Sequence, residues 1–182
     1  MPTQRVIFNL PNGLSLLRAA LTLPLCYFVA NSHYEWAFYT LILAGLTDWM
    51  DGFFARYLNQ TSIFGTIIDP LADKIFVGIV FSYLFYLHLI PFYLFALILL
   101  RDLAILAGAF VLNFFKKQTT FKPTGLSKVN TAFQLSYLFF TLYNLAYGEI
   151  KFFLTVLSYA VGMLTVLTWG QYGYLFYKKI TA

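Results

Sequence analysis

The chain has 182 residues, 60% of them hydrophobic and only 10% charged, with a net charge of +5 and a mean hydropathy of +0.74. Soluble domains carry about 25% charged residues, so this composition excludes an ordinary soluble domain and indicates an integral membrane protein. A spanning helix needs about 20 apolar residues, which leaves room for roughly six spans in one domain, residues 1–182, and none for a second, soluble domain.

Residues 2–12 are too short and mixed to span, and read as a short N-terminal interfacial segment with Asn12 capping the first span. Six apolar segments follow: Leu14–Ala30, Trp36–Tyr57, Phe64–Leu89, Phe92–Phe115, Val129–Tyr147 and Phe152–Tyr177. Their lengths predict an all-α fold, an integral membrane bundle of six transmembrane helices. Polar breaks at Asn31–His33, Asn59–Ser62 and Gly148–Lys151 separate them, Pro91 marks the third-to-fourth turn, and Pro123 and Gly125 read as breakers in the long polar stretch from Lys116 to Lys128. Cys26, the single cysteine, lies in an apolar run and is expected to be a small buried residue. His33 and His88 fall at span ends away from the acidic segment and are not expected to be ligands. The last segment carries no motif, and no internal repeat of the kind seen in inverted-repeat transporters is present.

With six spans, Arg5, Arg56, Lys116, Lys117, Lys122, Lys128, Lys178 and Lys179 fall on one side of the membrane and Lys151 on the other. The basic residues are scattered over loops and helix ends, which suits a positive-inside bias and membrane lipids as partners, with no nucleic acid. Both termini are then cytoplasmic. The short start, without a long apolar stretch, makes a bacterial inner membrane the expected location.

The end of the second span and the start of the third hold four of the seven acidic residues: Asp48, Asp51, Asp69 and Asp73. Ionised carboxylates in a low-dielectric region are costly without compensation. Asp48 and Asp51 are three apart and Asp69 and Asp73 four apart, so each pair shares a helical face, and the short turn between the helices lets the pairs converge. An oxygen-rich set of this kind suits Mg²⁺ or Mn²⁺. Two divalent ions held by several carboxylates can clamp the attacking and leaving oxygens of a displacement at phosphorus. Gly52, Ala55 and Gly65 leave room on these faces, and Arg56 can fork onto a phosphate. Other readings are a proton or sodium relay in an ion-coupled transporter, a structural ion-pair network, and glycines that serve helix packing alone. Arg18, Arg56 and Lys74 are too few and scattered to neutralise four acids in register.

Asp48-x-x-Asp51-Gly52-x-x-Ala55-Arg56, then eight residues, Gly65, three residues, Asp69, three residues and Asp73 resembles in full the signature of the CDP-alcohol phosphotransferase family. Asn12-x-x-Ser15-x-x-Arg18 is similar to the family's N-terminal element, and the similarity runs from about Asn9 to Gln134. The resemblance implies that Asp48, Asp51 and Asp69 bind two divalent metals. Asp73, beside them in the metal-binding set, would be the general base. Gly52, Ala55, Arg56 and Gly65, with Asn12 and Ser15, would hold the CDP-lipid. It also implies a homodimer.

For the acceptor, Lys122-Pro-Thr-Gly-Leu-Ser127-Lys128-Val-Asn130-Thr131-x-x-Gln134 resembles cardiolipin synthases of eukaryotic type, and Arg101-Asp102 is similar to their Arg-Asp pair. Phosphatidylglycerol is therefore the expected acceptor, giving cardiolipin and CMP from CDP-diacylglycerol. Glycerol 3-phosphate, giving phosphatidylglycerophosphate, is the alternative. Arg18, Arg101 and Lys128 are the candidate acceptor or phosphate contacts. A snorkelling Lys128 and an Arg101–Asp102 pair that merely fixes helix packing are the plainer readings.

Overall fold

The computed structural model describes residues 10–57, 65–115 and 124–181, and within these the side chains of residues 10–12, 15, 51–57, 65–73, 106, 108–115 and 176–181 lie outside the description. The described residues form six helices and no strand: α1 Leu10–Ala30, α2 Tyr34–Tyr57, α3 Gly65–Tyr86, α4 Phe92–Phe115, α5 Gly125–Tyr147 and α6 Lys151–Thr181. The expected all-α architecture is present. Within α6, Lys151–Leu175 is long and apolar enough to cross a membrane, and Leu16–Ala30 and Lys74–Tyr86 are shorter apolar stretches.

Two helix starts differ from the sequence expectation. Helix α1 already begins at Leu10, so Asn12 lies inside its first turn and is not a cap. Pro11 explains this: its fixed φ suits a first turn, where its missing N–H costs no hydrogen bond. Helix α5 begins at Gly125, so that glycine opens a helix instead of breaking one. Thr124 is its cap, with Oγ1 accepting from the Ser127 amide at 3.2 Å and its carbonyl accepting from the Lys128 amide at 3.2 Å. The helix ends follow standard stop chemistry. After α1, His33 N–H bonds Phe28 O at 2.8 Å and Ser32 N–H bonds Val29 O at 3.1 Å, with Ser32 left-handed at φ 59°. After α5, Gly148 takes φ 81° and its N–H bonds Asn144 O at 2.9 Å.

The chain divides into two compact units, residues 1–87 with 142–148, and residues 88–141 with 149–182. In the first, α1 packs against both α2 and α3. Its core holds Leu25 and Val29 from α1, Ala37, Phe38 and Ala44 from α2, and Phe76, Val80, Phe81 and Leu84 from α3. The last turn of α5 joins this unit, where Phe38 meets Tyr143 and Tyr147 edge-on at 5.7 and 5.9 Å and Tyr147 donates to Tyr39 at 3.1 Å.

In the second unit α4 packs against α6. Buried Gly162 faces Leu97 and Tyr93, the side-chain carbons of which lie 3.7 and 3.8 Å from where a Cβ would stand. A line of polar contacts runs through the same unit. Tyr93 and Ser158 share a 2.7 Å hydrogen bond, and fully buried Asn130 contacts Thr165 and Thr168 of α6 at 3.2 and 3.5 Å. Thr124 donates to Gln171 at 2.8 Å. In an apolar bundle without a hydrophobic drive between helices, such side-chain bonds and small residues supply the adhesion.

Candidate active site

Every residue of the aspartate signature falls in a helix. Asp48, Asp51, Gly52, Ala55 and Arg56 lie in the C-terminal part of α2, and Gly65, Asp69 and Asp73 in the first half of α3. The helical spacing that the sequence required is therefore met. Of the eight, only Asp48 has a described side chain. The convergence of the two carboxylate pairs, the CDP-lipid contacts of Gly52, Ala55, Arg56, Gly65, Asn12 and Ser15, and the base position of Asp73 rest on side chains outside the described ones.

Asp48 is held from the neighbouring helix. Arg18 Nη1 of α1 lies 2.8 Å from Asp48 Oδ1, with the arginine side chain 4% exposed and the carboxylate 57% exposed. The sequence placed Arg18 among acceptor or phosphate contacts; the structure shows its guanidinium on a signature aspartate. The pairing satisfies a buried cation and restrains a carboxylate that is open enough to ligate a metal while one oxygen is held. A carboxylate supplies hard oxygen donors, which fits the divalent metal ions that the family generally uses.

The other candidate contacts belong to the second unit. Arg101 of α4 is 3% exposed; its Nη1 meets Asp102 Oδ1 at 2.5 Å and its Nη2 donates to Ser127 Oγ of α5 at 2.5 Å. This is the ion pair of the plainer reading, and the Ser127 bond ties α4 to α5. Arg101 Nε is buried without a hydrogen-bond partner among the described residues. Lys128 is exposed on α5, as a snorkelling lysine would be. Sequence reasoning missed two features. Helix α6, which carries no motif, supplies Thr165, Thr168 and Gln171 to the polar line. Its Ser158, Thr165 and Thr168, at near-heptad spacing, were the available signal. Gln134, noted only as a motif position, is 2% exposed with a buried, unpartnered Nε2.

A family model described as CDP-alcohol phosphatidyltransferase matches residues 8–168, across both units. Three known proteins illustrate the similarity. The chain is 35% identical over 191 residues to "CDP-diacylglycerol–glycerol-3-phosphate 3-phosphatidyltransferase 1, chloroplastic" of Oryza sativa subsp. japonica, covering 94% of this chain and 58% of that protein. It is 38% identical over 144 residues to "Cardiolipin synthase (CMP-forming)" of Homo sapiens, covering 70% and 48%. It is 34% identical over 177 residues to "CDP-diacylglycerol–glycerol-3-phosphate 3-phosphatidyltransferase" of Aquifex aeolicus, covering 94% and 98%. The chain thus spans about half the length of the rice and human relatives and nearly all of the Aquifex one.

Proposed function

The chain belongs to the CDP-alcohol phosphatidyltransferase family, and from that membership we propose that it transfers the phosphatidyl group of CDP-diacylglycerol to phosphatidylglycerol, giving cardiolipin and CMP. The observation that carries the reading is the complete aspartate signature set in helical register on α2 and α3. An acceptor hydroxyl attacks the β-phosphorus, the bond to the bridging oxygen breaks, and CMP leaves with that oxygen. Asp73 takes the hydroxyl proton. Asp48, Asp51 and Asp69, with Asp73 adjoining, would hold two divalent ions, which when bound neutralise charge on the pyrophosphate. Arg18 keeps Asp48 oriented. Gly52, Ala55, Arg56 and Gly65, with Asn12 and Ser15, hold the CDP-lipid, and Arg101 and Lys128 serve the acceptor.

The Ser127–Gln134 stretch, the Arg101–Asp102 pair and the human relative's name support phosphatidylglycerol as acceptor. The Aquifex relative, matched over 98% of its length and named for glycerol 3-phosphate, favours that acceptor as the second reading. We place the protein in the membrane as six spans with both termini and the active site cytoplasmic, assembled as a homodimer. The test is purified protein with CDP-diacylglycerol, Mg²⁺ and each acceptor in turn. CMP release is expected, with cardiolipin as product from phosphatidylglycerol. No CMP release with either acceptor would sink the enzyme reading, and phosphatidylglycerophosphate as the only product would select the second.

A further inference from the structure

The first turns of α2, at the opposite end of that helix from the aspartate signature, meet the last turn of α5 in a group of rings that the transfer reaction does not use. Glu35, Trp36 and Tyr39 of α2 and Tyr143 and Tyr147 of α5 belong to the first unit, and all five are exposed. The rings are contiguous. Trp36 meets Tyr39 edge-on at 6.3 Å, and Tyr143 lies 5.2 Å from Tyr147. Buried Phe38 joins the two sets, 6.2 Å from Tyr39 and 5.7 and 5.9 Å from the α5 tyrosines. The Tyr147 and Tyr39 hydroxyls bridge the helices at 3.1 Å. Two hydroxyls share that one bond, so one O–H remains for an outside acceptor. Glu35 stands one helical turn before Tyr39 and acts electrostatically on the Tyr147 hydroxyl. It has no cation within ion-pair distance among the described residues.

Rings at a span end suit an interfacial belt, and an acid in a first turn suits the helix dipole. Neither role calls for a carboxylate set beside open ring faces and a tyrosine pair bonded across two helices. Ring faces are negative, so rings and carboxylate make a surface of one sign, whose complement is an ammonium group. At the rim of a membrane bundle that ammonium is carried by a lipid headgroup, with a phosphate two carbons away to accept the remaining tyrosine O–H. We propose that Glu35, Trp36, Tyr39, Tyr143 and Tyr147 bind the headgroup of a zwitterionic phospholipid, its ammonium against the rings beside Glu35 and its phosphate on a tyrosine hydroxyl. The site gives the protein a zwitterionic neighbour at the end of the bundle away from its anionic substrates. It does not rest on the transferase reading, and CMP release does not decide it.

The chain has three tryptophans, so Trp49→Phe with Trp169→Phe leaves Trp36 as the only one. The full chain with these two changes is placed in phosphatidylglycerol bilayers that contain a small fixed fraction of phosphatidylcholine bearing a nitroxide on its ammonium nitrogen. Quenching of Trp36 fluorescence reports the labelled headgroup. The quenching is expected to fall when unlabelled phosphatidylcholine replaces phosphatidylglycerol as the host lipid, because it competes for the site. Glu35→Gln and Tyr39→Phe should each weaken the apparent affinity for the labelled lipid about two- to fivefold in phosphatidylglycerol. Both side chains are exposed, so neither change removes a core contact. Equal quenching in the two hosts would mean an ordinary aromatic belt and would overturn the proposal. Unaltered quenching in Glu35→Gln would do the same. Selectivity lost in Glu35→Gln but kept in Tyr39→Phe would mean that the carboxylate merely repels anionic lipid, and no headgroup site would remain. Relief of quenching by millimolar free choline in the water phase would assign the rings to a soluble amine and overturn the lipid.

Discussion

Arg18 and Asp48 show how a single contact changes a residue's role. In sequence they are a cation of the first span and an acid of the second, and nothing in their spacing joins them. The packing of α1 on α2 brings them to 2.8 Å. A partner that orients a metal ligand typically contributes a factor of 10–100 in metal affinity. Arg18→Met is therefore expected to raise the divalent-ion concentration for half-maximal CMP release roughly tenfold, with the KM for the acceptor little changed. Metal titrations of the two proteins check this; an unchanged metal requirement together with a raised acceptor KM would return Arg18 to the acceptor side. Asp73 carries a different expectation. Asp73→Asn should retain CDP-lipid binding and lose turnover, because a carboxamide cannot take the hydroxyl proton, whereas Asp48→Asn should weaken binding through the metal. Equal loss of CDP-lipid binding in both variants would remove the base role. The four aspartates were legible from sequence because acids are rare in apolar helices and their three- and four-residue spacing is itself the signal. The Arg18 contact and the unbonded state of Gln134 were not, since both depend on which helices meet.

Among the elements, the centres of the helices were readable and their first turns were not. Apolar runs between Pro, Gly and Asn marked all six, but the polar residues Asn12 in α1 and Ser127 and Lys128 in α5 are compatible with a first helical turn, where the backbone donors are unbonded anyway. Thr124 as cap and Pro11 inside the first turn moved the two starts. The inter-helix polar line lay further from reach: Asn130 looked like a motif position, yet it is fully buried between Thr165 and Thr168. Comparable contacts in membrane bundles are worth about 0.6 kcal/mol on average and up to about 1.7. A double-mutant cycle with Asn130→Ala and Thr165→Val should thus show a coupling of about 0.5–1.5 kcal/mol in unfolding measurements, and additive effects would mean that the pair carries no adhesion. Gly162 supplies a small residue at the α4–α6 contact. Gly162→Ala is expected to fold like the parent, because its Cβ would meet Leu97 and Tyr93 at ordinary contact distance, whereas Gly162→Leu should lower the Tm by forcing α4 from α6.

At the scale of the molecule, helix length and sidedness are linked. The shortest of the six helices has 21 residues, about 31 Å at 1.5 Å per residue, which matches a hydrocarbon core of about 30 Å. Among the described residues, Lys151–Leu175 of α6 combines that length with sufficient apolarity to cross a membrane. If all six cross, the turns on either side of α5 face opposite compartments, while the α1–α2 and α5–α6 turns face the same one. His33 and Glu149 are exposed in those last two turns, and Gly125 is exposed at the start of α5. In a Cys26→Ala background, His33→Cys and Glu149→Cys should react with a membrane-impermeant maleimide added outside intact cells. Gly125→Cys should react only after lysis, as the basic residues flanking α5 require under the positive-inside rule. Labelling of Gly125→Cys from outside would invert the proposed orientation and move the aspartate signature away from a cytoplasmic supply of CDP-lipid. Opposite behaviour of His33→Cys and Glu149→Cys would mean an odd number of crossings between them, and the six-span arrangement would be lost.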